Sequence, residues 1–245
     1  GMSFGLAHGW TEKFKTSVST GYRQSSWTST RFYNDGSTED IPYKAHGMQD
    51  VAFDLQGLEK FGTAGLAYGL DLSWSPERAQ SSNRYVDGNQ FSGGNSAAPY
   101  LAAEMQISRA LIGTMLKHRF YGQQKSFAKW IDGSEYGNTT TNGGDTTTAS
   151  VFAERTFTDS LIGASASYSR SASMTETTDD GSESPFTTDV YTEVAVRPYA
   201  RFTLMPNFQI VPSVEYRINL GREYSGVTNY KSSQIEAAIT GRATF

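Results

Sequence analysis

The chain has 245 residues, 21 Lys and Arg against 25 Asp and Glu for a formal net charge of -4, and no cysteine. The lack of Cys excludes a disulfide scaffold, a thiolate zinc site and a thiol nucleophile. The slight acidity argues against nucleic acid as a partner, because phosphate neutralisation needs clustered Lys and Arg.

Leu, Ile, Val and Phe make up about 18% of residues, under the ~20% at which chains begin to look disordered. Aromatic residues nevertheless reach 13%, and disordered chains are poor in them. The composition fits a folded chain built around something other than an apolar core.

Residues 1–12 read as an N-terminal segment, with Gly1 ahead of Met2 reading as a cloning scar. No basic stretch followed by an apolar one marks a signal peptide here. Residues 13–245 read as one domain.

Its dominant signal is strict alternation, repeated near 13–23, 47–57, 62–75, 99–109, 111–123, 148–157, 161–171, 189–203, 208–221 and 233–245. In the third segment Leu66, Tyr68, Leu70, Leu72 and Trp74 alternate with Ala67, Gly69, Asp71 and Ser73. In the ninth Phe208, Ile210, Pro212, Val214, Tyr216 and Ile218 alternate with Gln209, Val211, Ser213, Glu215, Arg217 and Asn219. Period two is the period of a strand with one apolar face and one polar face. No segment approaches the ~18 apolar residues of a transmembrane helix.

The connections alternate in length. Short ones fall near 58–61, 109–111, 158–159 and 205–207; long ones fall near 24–46, 76–98, 124–147, 172–188 and 222–232. Short turns at one end and long loops at the other are the asymmetry of a transmembrane β-barrel. The expectation is an all-β fold: a closed antiparallel transmembrane barrel of about ten strands, with twelve as the alternative. Its short turns would be periplasmic and its long loops extracellular.

The two faces sort charge. The polar face carries Arg23, Lys117, Arg119, Arg197, Arg201, Arg217 and Arg242 beside Asp50, Asp54, Asp71, Glu104, Glu154, Glu193, Glu215 and Glu236. The other face carries charge only near strand ends, at Arg109, Arg155 and Arg170, where a long side chain reaches the interface. Phe61, Phe157, Phe202, Phe208 and Phe245 fall beside short turns or the C-terminus, and Trp74, Phe120 and Tyr168 fall toward the long loops. Two aromatic rings bracketing an apolar band are the girdles of a membrane barrel.

The last strand, with alternating outward residues and a terminal Phe245, resembles the C-terminal signature of Gram-negative outer-membrane barrels. Small monomeric porins are the nearest class. The resemblance implies a place in the bacterial outer membrane, contact with the lipid bilayer and lipopolysaccharide, and a terminal strand read by the barrel-assembly machinery.

Turn geometry predicts register. A three-residue loop at Met205-Pro206-Asn207 sets Arg197 opposite Glu215. Phe245 level with Phe208 sets Arg217 opposite Glu236. A turn centred between Ala110 and Leu111 sets Glu104 opposite Lys117. The polar wall is therefore expected to be laced with ion pairs.

Catalytic chemistry finds little support. Of the three histidines, His8 precedes the first predicted strand, His46 ends a loop, and His118 is predicted to face lipid opposite an apolar residue. No serine lies two residues from His118, and no Asp-x-His or His-x-Asp occurs, so a nucleophile–base pair is unsupported. Asp35-Gly36, Asp87-Gly88, Asp132-Gly133 and Asp180-Gly181 are turn signals. The reading is non-enzymatic and without a cofactor or metal.

Two functions remain. The first is a channel for small polar or anionic solutes. Arg197, Arg201, Arg217 and Arg242 would line its wall, held by Glu193, Glu215 and Glu236, with Glu104, Lys117 and Arg119 completing the pore lining. The second is a closed barrel acting as an anchor or adhesin through its loops.

Overall fold

The alternating segments form sheet along nearly their whole length. The computed structural model describes residues 1–32, 37–178, 186–188, 190–205, 208–220 and 232–243, and the fold is all-β. The first half contributes β1 (Met2–Thr11), β2 (Phe14–Phe32), β3 (Thr38–Gln49), β4 (Val51–Phe61), β5 (Ala64–Trp74), β6 (Ala79–Gln80), β7 (Gly88–Gln90), β8 (Ser96–Ile107) and β9 (Ala110–Tyr121). The second contributes β10 (Gln124–Lys129), β11 (Glu135–Gly143), β12 (Thr146–Thr156), β13 (Ser160–Ser171), β14 (Met174–Thr178), β15 (Phe186–Thr188), β16 (Tyr191–Met205), β17 (Phe208–Asn219) and β18 (Ser232–Ala243).

The main sheet runs β18-β17-β16-β13-β12-β9-β8-β5-β4-β2-β3-β7, with β1 on the opposite edge of β2. β3 and β4 are effectively one strand, since both pair with β2 and the register slips by a single residue between Tyr22↔Met48 and Ser19↔Ala52. Gly47, at φ +138°, sits beside that slip, where a bulge needs a conformation that glycine adopts without strain. Counting β3–β4 once and setting the short β7 aside, eleven strands of the described residues form one antiparallel meander.

That is one strand more than the ten predicted. The extra strand is β1, inside the segment 1–12 that the sequence set apart. Met2, Phe4, Leu6, His8 and Trp10 lie on its outer face, opposite the outer residues of β2, and Ser3, Gly5, Ala7 and Gly9 lie on the other. The alternation was present, but its inner residues are glycine, alanine and serine instead of charged groups, so it carried little contrast. The loop expected over 24–46 is likewise mostly strand, with β2 and β3 paired as far as Phe32↔Thr38.

Three of the long connections are ordered as well. β6, β10, β11, β14 and β15 come from the segments after β5, after β9 and after β13, and assemble into a second sheet in the order β15-β14-β11-β10-β6. This small sheet crowns the long-loop end. Asp87-Gly88 leads into β7 beside β3 and Asp132-Gly133 turns between β10 and β11, whereas Asp35-Gly36 and Asp180-Gly181 lie outside the described residues.

Polarity is inverted relative to an ordinary domain. Among the described residues the buried apolar side chains are Ile41, Ala45, Ala98, Phe127 and Leu161, and no large side chain is fully buried. Large apolar side chains such as Leu6, Leu101, Leu116, Val151, Ile162 and Ile239 are instead exposed on the outer face, Leu6 and Ile239 at 78% and 79%.

The sheet curls around its polar face. One cavity at the short-turn end is lined jointly by Lys13 and Lys15 near β1–β2, Glu104 on β8 and Phe152 on β12. The sheet is not closed, however. β1 and β18 are its two edges, and among the described residues each pairs with a single neighbour.

Candidate functional site: the polar inner face

The inner face follows from register. Side chains two apart on one strand share a face with their cross-strand partners. Tyr191, Glu193, Ala195, Arg197, Tyr199 and Arg201 on β16 therefore share a face with Ser213, Glu215, Arg217 and Asn219 on β17. Gln234, Glu236 and Ala238 on β18 continue it. Ser165, Ser167 and Ser169 on β13, with Glu154 on β12, complete the curve on the other side.

The predicted offset across β16–β17 is the one observed, with Ala195↔Arg217 and Tyr199↔Ser213 on either side of Pro198. The ion pair drawn from it is different. Arg197 donates from Nη2 to Ser213 Oγ at 3.1 Å, while Glu215 accepts from Arg217 on its own strand, with Nε at 3.1 Å. Glu193 Oε1 lies 3.4 Å from the same Arg217. Arg217 is thus clamped by two carboxylates, one on each of two strands.

The other two predicted pairs do not form. Arg217 faces Gln234, and Glu215 faces Glu236, because Phe208 lies level with Ala243 instead of Phe245. The long connection expected over 222–232 lies, apart from Ser232, outside the described residues, and the register of these strands is not one a short turn fixes. Glu104 faces Gly113, and Lys117 faces Tyr100. Here the turn is Ser108-Arg109, with Ser108 at φ +55°, which slides β9 by four residues from the expected alignment. Lys117 pairs instead with Asp71 on β5. Arg119 donates to Ser96 Oγ at 2.8 Å.

Two tyrosines that the sequence reading passed over tie the face together. Tyr199 lies across Gly163 of β13 and donates its hydroxyl to Glu154 Oε1 on β12 at 2.5 Å. Tyr100 lies across Gly69 of β5 and donates to Asp54 Oδ1 on β4 at 3.3 Å. Each tyrosine sits directly opposite the glycine it crosses, a pairing legible only once the register is known. Phe152 covers Gly113 in the same way.

Among the described residues, these side chains line several spaces on the inner face. One of about 730 Å³, at the long-loop end, is lined by Tyr121, Thr146, Ser171, Tyr191, Asn219 and Ser232 among others. A second, about 390 Å³, has Glu154, Ser165, Arg197, Tyr199 and Arg201 on its walls. Phe152 lines both this cavity and the one that holds Lys13, Lys15 and Glu104. Among the described residues Arg201 has no hydrogen-bond or ion-pair partner, so its guanidinium meets the cavity as a free cation. Arg242 places its backbone opposite Gln209, but its side chain and Phe245 lie outside the described residues.

Phe61, Trp74, Phe120, Phe157, Tyr168 and Phe202 are exposed on the outer face, and Phe208 is half-buried. Phe61, Phe157 and Phe202 stand near the short turns, and Trp74, Phe120 and Tyr168 stand toward the crown. His118 also lies on this side; its partner on β12 is Thr147, and the β8–β9 register sets it level with the apolar Pro99. Its Nδ1 is 2.8 Å from Thr147 Oγ1, and its ring meets Phe120 edge-on at 4.4 Å. Among the described residues no carboxylate orients that imidazole, as a general base would require, and no cluster of His, Asp and Glu is arranged to hold a metal ion.

The fold and this face define an open, curled antiparallel sheet, polar and charged within and apolar without. Neither a protein-family profile nor a curated protein sequence matches the chain.

Proposed function

We propose that the sheet closes as a β-barrel across a bacterial outer membrane and passes small polar solutes, favouring anions. The observation that carries this reading is the inverted polarity. A soluble monomer rarely exposes an apolar patch above a few hundred Å², whereas here a band of exposed Leu, Ile, Val, Phe and Met side chains runs from β1 to β18. Lipid accepts that band. Water on the inner face solvates Glu154, Arg197, Arg201 and Arg217.

Strand direction sets what closure requires. The eleven meander strands alternate, so the two edge strands run the same way. An all-antiparallel cylinder takes one further strand running the other way, twelve in all, in keeping with the even strand numbers of such barrels. With no open edge, no backbone N–H or C=O meets hydrocarbon unpaired. The short turns then face the periplasm and the crown faces outward.

Anion preference rests on Arg197 and Arg201, which share one cavity while most nearby acids are engaged. Glu154 is held by Tyr199, and Glu193 and Glu215 are held by Arg217. Liposome swelling tests the reading. Vesicles containing the folded protein are expected to swell in small uncharged and anionic solutes, and faster than protein-free vesicles. Equal rates for the two kinds of vesicle would overturn it.

A further inference from the structure

The crown carries a pocket that the channel reading does not use. β2 and β3 extend past the rest of the sheet, and Ser29 with Arg31 on β2 and Ile41 with Tyr43 on β3 point the same way. The segment 83–86 and the hairpin 129–136 close over this extension. Together they leave a cleft of about 400 Å³ lined by Arg31, Ile41, Tyr43, Tyr85, Trp130 and Tyr136. That volume falls within the ~300–1,000 Å³ usual for small-ligand sites.

The walls are held in place before any ligand arrives. Asn83 accepts the amides of Tyr85 at 2.8 Å and Val86 at 2.9 Å through Oδ1. Its Nδ2 donates to the Lys129 carbonyl at 2.6 Å and to the Tyr136 hydroxyl at 3.2 Å. One side chain therefore clips the two loop segments together. Trp130 stacks on Tyr136 with centroids 4.3 Å apart, and Trp27 stacks on Tyr43 at 5.6 Å. Arg84 is held by Glu39 at 2.8 Å.

Arg31 differs from its neighbours. It is exposed, it lines the cleft, and among the described residues its guanidinium has no hydrogen-bond or ion-pair partner. We infer that this cleft binds a carboxylated saccharide, with Arg31 taking the carboxylate and the aromatic side chains taking the apolar face of a pyranose ring.

The chemistry selects that class. Guanidinium and carboxylate match as two parallel hydrogen bonds. Aromatic rings with phenolic hydroxyls offer an apolar face and a polar tip side by side, which suits a ring whose C–H groups and hydroxyls alternate. A lipid chain would find Ile41 as the one aliphatic wall. A dianionic phosphate would sit beside Glu39, directly across the strand pair from Arg31, whereas a singly charged carboxylate balances one guanidinium.

The test is a tryptophan-fluorescence titration of the full, detergent-folded chain with a tetrasaccharide of alternating glucuronic acid and N-acetylglucosamine. Its carboxyl-reduced neutral counterpart serves as the comparison. Saturable binding of the acidic probe is expected, weakened at least tenfold in the neutral probe and in Arg31→Gln. Arg31→Lys is expected to bind in between, because lysine keeps the charge and loses the paired geometry. Circular dichroism of each variant establishes that it is folded. No saturable signal from the folded wild type, equal affinity for the two probes, or an unchanged Arg31→Gln would each overturn the inference. Binding here is independent of conduction, so a silent barrel that binds the probe would count against the channel reading alone.

Discussion

Tyr199 reaches across Gly163 to donate its hydroxyl to Glu154, linking β16 to β12 over the strand between them. A Cβ on Gly163 would lie 2.7 Å from the Tyr199 ring, so the link exists only because that position has no side chain. Gly163→Ala is expected to push the ring off Glu154 and cost about 1–3 kcal/mol, the usual cost of overpacking. Gly9→Ala, where a Cβ would meet no atom closer than 4.0 Å, should stay within about 0.5 kcal/mol of wild type. Urea or guanidinium midpoints of the two variants check this, and equal midpoints would sink it.

Arg201 and Arg217 are expected to separate selectivity from stability. Arg201 has no partner among the described residues, so Arg201→Gln should lower the anion-to-cation permeability ratio and leave the unfolding midpoint in place. Arg217 is clamped by Glu193 and Glu215, so Arg217→Ala leaves two carboxylates uncompensated. After allowance for solvent screening, about 1–2 kcal/mol of stability should be lost. Reversal potentials under a salt gradient, paired with denaturation curves, distinguish the two. Identical behaviour would mean that the inner-face assignment is wrong.

The outer face yields a prediction that depends on its solvent. Leu116 stands exposed near the middle of β9. On a soluble sheet, Leu116→Arg would change stability by about 0.5 kcal/mol or less. Facing the middle of a bilayer, it should cost about 2–4 kcal/mol. Folding into vesicles, followed by the shift in apparent size on an unheated gel, reports which solvent that face meets.

The crown turn has an acid-sensitive element. Asp132 Oδ1 accepts the Ser134 amide at 2.9 Å and the Ser134 hydroxyl at 2.6 Å, and these bonds hold the Asp132 carboxyl below its ordinary pKa. A carboxylate depressed in the folded state stabilises above its unfolded pKa, and that contribution is lost as pH falls through the folded value. Hydrogen-exchange protection at Ser134 should therefore be level from neutrality down to about pH 4 and decline below it. In Asp132→Ala the protection should be absent throughout. A decline that begins near pH 6 would implicate a different group.

Much of this was legible in alternation. The apolar and polar faces of β5, β8, β9, β12, β13, β16 and β17 follow from period two, because one residue's choice of face fixes that of every second residue after it. The short turn at 205–207 likewise carried the β16–β17 offset. What the sequence hid had physical causes. β1 alternates Leu and Trp with Gly and Ala, a contrast of size more than polarity. The extension of β2 and β3 is rich in Ser and Thr, residues equally common in loops. Register across a long connection, as between β17 and β18, depends on packing between distant residues, so the Arg217–Glu236 pairing expected from the sequence lies two residues out of place. The crown sheet, and the cleft that sets Trp130 beside Arg31 of β2, have no local signature at all.

A membrane-spanning polar lumen that conducts should carry single-channel current when the folded protein is placed in a planar bilayer. Discrete, steady conductance steps and a reversal potential on the anion side are the expected result. Silence from protein shown to be folded and inserted would contradict it, and would leave the lumen plugged by the Tyr199–Glu154, Tyr100–Asp54 and Lys117–Asp71 links.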